Sequence, residues 1–317
     1  MVLRPSVEPM LAQARDTVPA PGVLPGELRF QMKFDGYRAI VFTPWPASGP
    51  VLVQSRRGSL MQSRFPDLVR AAADLPDGLV LDGELVVWAG GRMSFEALQR
   101  RAVSGGRTAA RLAQEMPAHF IASDLLQLDG RELLHVSYGE RRARLEQLFT
   151  DRGLSAPWTL CPETDDVVTA REWLTSWTQV PGVEGLVIRG SGQRYLPGAR
   201  ALYKVRRRDT TEAVIGASTG IVRRPRTLVL GRLDEAGVLR PAGPGHLWEG
   251  VRFATSWGSR TPLDVVLVEP ELVAEITVGT ALERGAWRHP VRFARLRLDV
   301  AVADVPPFGA GAEPASG

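Results

Sequence analysis

Two apolar runs, LRFQMKF at residues 28–34 and YRAIVF at 37–42, stand with only Asp35 and Gly36 between them. Adjacent strand-like runs of this kind favour an antiparallel or mixed sheet over a doubly wound parallel one. The runs PVLVQSR, LVLDGELVVW, HFIASDLLQL and EGLVIRG add further strands, and DLVRAAADL, SFEALQRR and SYGERRARLEQLF read as helices between them. The fold class expected is α+β. After KVRRRDTTEAVIG the character changes: residues 211–302 hold short strands (EAVIGAST, TLVLGRL, LVAEITVG, VRFARLRLDV) with Gly and Pro turns and one helical stretch near 246–256. That pattern predicts a small β-barrel. The final VPPFGAGAEPASG has the composition of a disordered tail. The expected organisation is a first domain over 1–208, a barrel over 209–303 and a tail over 304–317.

Composition narrows the compartment and the partner. One cysteine, Cys161, excludes an internal disulfide framework and a four-cysteine zinc module. The N-terminal MVLRPSVEPMLAQARD lacks a signal-peptide core, and no run of about 18 apolar residues offers a membrane span. A cytoplasmic protein is expected. Its net charge of +4 is modest, but Arg200–Arg226 carries eight basic residues against Asp209 and Glu212, and Arg284–Arg297 carries five arginines and no acid. Such stripes suit a phosphate backbone or a solvated basic face.

Of 39 basic residues only Lys33 and Lys204 are lysines. A lysine amine can act as a nucleophile, whereas a guanidinium cannot be deprotonated in a protein. Lys33 ends a strand, and Gly36 permits a turn beside it. Carboxylates gather at similar places: Asp82 and Glu84 share a side by strand alternation, and Glu184 precedes another apolar run. Lys204 and Arg206, two apart, share a face if their segment is a strand. A lysine, acids for a hard divalent cation and a cationic pair for phosphate together suggest phosphoryl or nucleotidyl transfer.

The ordered series Lys33-x-Asp35-Gly36-x-Arg38, Ser55-Arg56-x-Gly58, Asp82-Gly83-Glu84, SDLLQLDG at 123–130, Glu184-Gly185-Leu186-Val187 and Lys204-x-Arg206 resembles the signature motifs of covalent nucleotidyltransferases, specifically ATP-dependent DNA ligases. The segment RHPVRFARLRLD resembles the motif these enzymes carry on an oligonucleotide-binding (OB) fold domain. The whole is most similar to the small accessory repair ligases of actinobacteria. The resemblance implies an adenylation domain followed by an OB-fold domain, with ATP and Mg²⁺ or Mn²⁺ as cofactors.

It also implies roles. Lys33 would attack the α-phosphate of ATP, forming a lysyl-AMP intermediate; AMP would pass to a DNA 5′-phosphate, and the 3′-hydroxyl would displace it. By the same carry-over Lys33, Arg38, Glu84, Val187, Lys204 and Arg206 bind the nucleotide, and Glu84 and Glu184 serve the metal. Arg38 and Arg56 meet the DNA 5′-phosphate, and Arg295, Arg297 and Asp299 orient the leaving pyrophosphate. The partners implied are nicked or broken duplex DNA and other repair proteins, acting with a monomer in the cytoplasm, at the nucleoid of a bacterium, without a membrane. The chain departs from the family at Ser123, where an adenine-stacking aromatic is common, and at Val300, where the motif often ends in lysine. An RNA ligase or a capping-type guanylyltransferase would share the lysine and scaffold. An inactive nucleic-acid-binding module would explain the basic stripes but not the lysines and carboxylates.

Overall fold

The computed structural model describes residues 2–46, 49–221, 223–242, 253–254, 262–279, 282–283 and 285–312. The chain forms two compact units, Met1–Arg206 and Arg207–Gly317, dividing two residues before the expected boundary at 208.

The first unit is built on two sheets in which antiparallel pairing dominates. One has the strand order Ala12–Arg15, Leu202–Arg206, Val183–Gly190, Leu28–Phe34 and Glu163–Thr164; the other runs Leu52–Ser55, Tyr37–Phe42, Val80–Ala89, Ala118–Leu128 and Arg131–Glu132. Two pairings are parallel: Ala12–Arg15 with Leu202–Arg206, and Trp158–Leu160 with Ala118–Leu128. The chain passes from the first sheet to the second through Asp35 and Gly36, so the adjacent runs at 28–42 are not partners in one hairpin but lie in different sheets. Gly36 is needed for close approach: a Cβ there would come within 2.5 Å of the Leu85 carbonyl oxygen.

Apolar faces explain the layers. Phe65, Leu68, Leu98 and Leu145, from the helices Pro66–Ala71, Phe95–Ala102 and Tyr138–Asp151 and the residue that caps the first, cluster with Val41, Leu81, Leu85 and Phe120 of the second sheet. Ser94 and Ser137 cap two of these helices, accepting hydrogen bonds from Ala97 N and Glu140 N. Leu28, Phe30, Leu186 and Ile188 of the first sheet pack with Ala170 and Trp173 of the helix Val167–Thr175. Val7, Met10, Ile40, Val80, Tyr195 and Leu202 form another buried cluster, drawing the N-terminal segment onto both sheets.

In the second unit the strands Leu239–Pro241, Arg224–Leu233, Arg208–Ile221, Val273–Gly279 and Arg292–Leu296 pair antiparallel in that order, with Val266–Leu267 also on Arg208–Ile221. Ile215, Leu230, Ile276 and Trp287 fill its core, and Arg232 lies with its guanidinium 4.7 Å from the Trp287 ring centroid. The helix expected near 246–256 falls mostly outside the described residues; Phe253–Ala254, the part that is described, is a strand.

The tail expected from 304 is ordered against this unit as far as Ala312. Val305 is buried, Phe308 N donates to Leu233 O at 2.8 Å, and Gly311 O accepts from Arg232 at 2.7 Å. A Pro, Gly and Ala rich composition concealed these anchors; residues 313–317 lie outside the described set.

Candidate active site

Lys33 is the penultimate residue of its strand and lies opposite Gly185. Between Val183 and Gly185 the register shifts, which leaves Glu184 in a bulge. Gly185 adopts φ +150°, and a Cβ there would lie 2.1 Å from Val205 O. Glycine therefore allows the strand Leu202–Arg206 to close on the bulge. The bulged Glu184 carboxylate, 4% exposed, meets Lys33 Nζ through Oε2, and Arg206 Nη2 holds that same oxygen at 3.1 Å.

The second sheet supplies the facing wall. In register, Arg38 lies opposite Glu84 and Glu84 opposite Ile121. A small cleft is lined by Lys33, Arg38, Glu84, Ile121, Ser123 and Val187, with Gln31 and Arg189 also at its surface. Val187 pairs in register with Lys204, and Gly185 with Arg206, so Lys204 and Arg206 do fall on one face of a strand. The second unit holds a larger groove, lined mainly by apolar side chains such as Ile215, Leu230 and Phe293, and none of the expected site residues lines it.

Electrostatics marks the cleft as a place built for opposite charges. Burial pushes the Glu84 carboxyl up from 4.5 to about 7; Lys33 and Arg38 oppose the rise, and the charges of Glu184 and Asp35 add to it. Burial also lowers Lys204 from the usual lysine value, helped by the positive charges of Arg206, Lys33 and Arg56. Arg56 thus belongs to this electrostatic neighbourhood from its exposed place in the turn that follows Leu52–Ser55. Glu84 lines the cleft, and the Glu184 carboxylate that touches Lys33 lies near enough for its charge to act on Glu84; such a pair suits a hard divalent cation that completes its shell with water and phosphate oxygens. Among the described residues no cluster of three or more His, Cys, Asp or Glu could do so with protein ligands alone.

Arg295, Arg297 and Asp299 come together in the second unit. Arg297 binds Asp299 at 2.9–3.1 Å and Glu212 at 2.7 Å, and Arg295 binds Glu275 at 2.9 Å. Their engagement with Glu212 and Glu275 was not legible from spacing.

Sequence reasoning also missed the support beneath the cleft. Asp124, fully buried, receives Arg141 at 2.8 and 2.9 Å and Arg189 at 2.7 Å. Burial works against its ionisation, but the hydrogen bond and charge of Arg141 and the charge of Arg189 outweigh this and hold the carboxyl below the ordinary range. Arg189 Nε donates to Gln31 Oε1 at 3.1 Å, and Gln31 Nε2 donates to Ser123 O at 3.0 Å and to Tyr138 Oη at 2.7 Å. Ser123, at the departure from the family pattern, donates through Oγ to Asp82 O at 3.1 Å. An arginine directly after the apolar run of Leu186, Val187 and Ile188 in EGLVIRG was the available signal for a buried cation, and only the fold shows its partners.

Residues 9–206 match the family model for the ATP dependent DNA ligase domain. The chain is 34% identical to DNA ligase C2 of Mycolicibacterium smegmatis over 93% of this chain and 91% of that protein. It is 31% identical to the multifunctional non-homologous end joining DNA repair protein LigD of Mycobacterium tuberculosis, over 89% of this chain and 38% of that one. Among solved structures, mycobacterial DNA ligase D complexed with ATP and MES aligns with 95% of this chain and 98% of its own at 27% identity and a TM-score of 0.53.

Proposed function

The chain belongs to the ATP-dependent DNA ligases, and from that premise we propose that Lys33 is the residue its reaction modifies. The activity itself is that of the family: a DNA ligase using ATP and a divalent metal, working through a lysyl-AMP intermediate. The observation that carries the residue assignment is the contact of Lys33 with Glu184 in a cleft shared with Glu84, Arg38 and Val187, where Arg206 grips the same carboxylate.

In the first step the Lys33 Nζ lone pair forms a bond to the α-phosphorus of ATP, the bond to the bridging oxygen breaks, and pyrophosphate leaves. Lys33 must first pass its ammonium proton to water, and its resting contact with Glu184 gives way as nucleotide enters. Lys204 and Arg206 bind the α-phosphate, Arg38 orients the nucleotide, and Val187 forms one apolar wall for the base. In the second step a DNA 5′-phosphate oxygen displaces Lys33 from the AMP phosphorus. In the third the 3′-hydroxyl attacks the activated 5′-phosphate and AMP departs, with Arg38 and Arg56 steadying that phosphate. Glu84 and Glu184 would hold the divalent metal, which when bound offsets negative charge on the phosphates.

The second unit is best read as an OB-fold domain over 209–303, its antiparallel strands and basic strand Arg292–Leu296 supporting the reading. Arg295, Arg297 and Asp299 then orient pyrophosphate, the two arginines exchanging their carboxylate contacts for phosphate. The reading extends to repair of nicks or breaks in duplex DNA by a monomer at the bacterial nucleoid, together with other repair proteins. A pulse of α-labelled ATP followed by a nicked duplex tests the function: label on protein must pass to DNA and leave as AMP on sealing.

A further inference from the structure

Arg38 does not hold its position alone. Its Nη2 pairs with Asp82 Oδ2, while its Nε is buried without a partner among the described residues. The Asp82 contact therefore carries much of the orientation of this guanidinium. Asp82 is completely buried, and its Oδ1 likewise lacks a partner among the described residues. Both of the carboxylate's hydrogen bonds run through Oδ2, and the second comes from Tyr195, whose Oη donates at 2.8 Å. Tyr195, 2% exposed, is itself fixed from behind: its Oη accepts from Met10 N at 3.1 Å and its backbone N donates to Leu134 O at 3.0 Å. A relay thus runs from the N-terminal segment through Tyr195 and Asp82 to the cation at the cleft.

We propose that Tyr195 is a positioning residue for the reaction, setting the direction of Arg38 through Asp82. This rests on the assignment of Arg38 to the nucleotide made above. A carboxylate with one hydrogen bond can pivot about it; a second donor on the same oxygen removes that freedom. Arg38, fastened to Asp82 and open to the cleft, then points where a nucleotide needs it before the nucleotide arrives. Preorganisation of this kind acts on the rate and leaves the chemistry of the attacking amine unchanged. A hydroxyl is the only difference between tyrosine and phenylalanine, so the contribution can be removed with little change of volume.

The test is a double-mutant cycle on self-adenylation by the full chain, read as kcat/KM for α-labelled ATP. Tyr195→Phe is expected to lower it about tenfold, the effect of one orienting hydrogen bond. In an Arg38→Ala background, followed over hours for its residual adduct, Tyr195→Phe is expected to change nothing further. Equal losses in both backgrounds would mean a structural contribution that bypasses Arg38, and no loss in the wild-type background would remove the role altogether. Should Tyr195→Phe fold poorly, Asp82→Asn takes its place in the same cycle with the same expectations. Full activity of Arg38→Ala would instead defeat the assignment of Arg38 itself, a result separate from the failure of the relay.

Discussion

Arg206 holds the Glu184 carboxylate at 3.1 Å through the same oxygen that Lys33 touches. One carboxylate thus separates the only lysine of the first motif from a cation two residues past the other lysine, and its neutralisation is shared. Replacing Arg206 by Gln leaves Glu184 still paired with Lys33. Self-adenylation should fall by about 100- to 1000-fold, the range for losing one donor aimed at charge that develops in the transition state. The fold should lose only about 1 kcal/mol, because the side chain is 30% exposed. Single-turnover labelling and a urea melt measure the two quantities.

Glu84 gives the protein a pH signature. A carboxyl raised from 4.5 to about 7 by burial costs the folded state stability wherever the unfolded chain would ionise it. Unfolded, it ionises above 4.5, so the penalty on the folded state begins there, grows with pH and is complete above about 7. Glu84→Gln should therefore melt higher than the wild-type protein at pH 8, with an advantage that shrinks as pH falls through 7 and is lost below 4.5. It should nonetheless adenylate poorly. Thermal melts of the metal-free proteins across this range make the check.

The Asp124 cluster should dominate stability beneath the cleft. Arg189→Met removes one of the two arginines on a fully buried carboxylate, and breaking such a buried pair costs about 3–5 kcal/mol. The urea midpoint should drop accordingly. A mutant with an unchanged midpoint would mean that Arg141 alone satisfies Asp124.

Arg297 divides the steps. With its contacts to Asp299 and Glu212 available for exchange, Arg297→Ala should slow self-adenylation while leaving the sealing of pre-adenylated nicked DNA close to normal. Loss of both to the same degree would assign the residue to general DNA binding.

How much of this was readable beforehand depends on what kind of signal each residue leaves. Strand alternation placed Lys204 with Arg206, and the adjacency of two apolar runs put Lys33 at a strand end. What sequence could not show was that Asp35 and Gly36 carry the chain between sheets, since a short gap looks the same within a hairpin. Gly36 was expected to permit a turn beside Lys33; that its missing side chain also makes room for the Leu85 backbone could be seen only in the fold. Tyr195 sits in the irregular stretch SGQRYLPGAR, where no periodicity assigns a direction, so its bond to Asp82 across 113 residues was out of reach. The packed tail escaped for a similar reason: Val305 and Phe308 are isolated apolar residues in a segment whose composition suggests disorder.

The central claim, that Lys33 carries the adenylate, is tested most directly by locating the adduct. Protein incubated with ATP and Mg²⁺ and digested with trypsin should yield a single adenylated peptide, FQMKFDGYR, running from Phe30 to Arg38 with the modification on Lys33. Lys33→Arg, which keeps the charge but not the nucleophile, should give none. Adenylate found on Lys204, or wild-type labelling of the Lys33→Arg protein, would contradict the account.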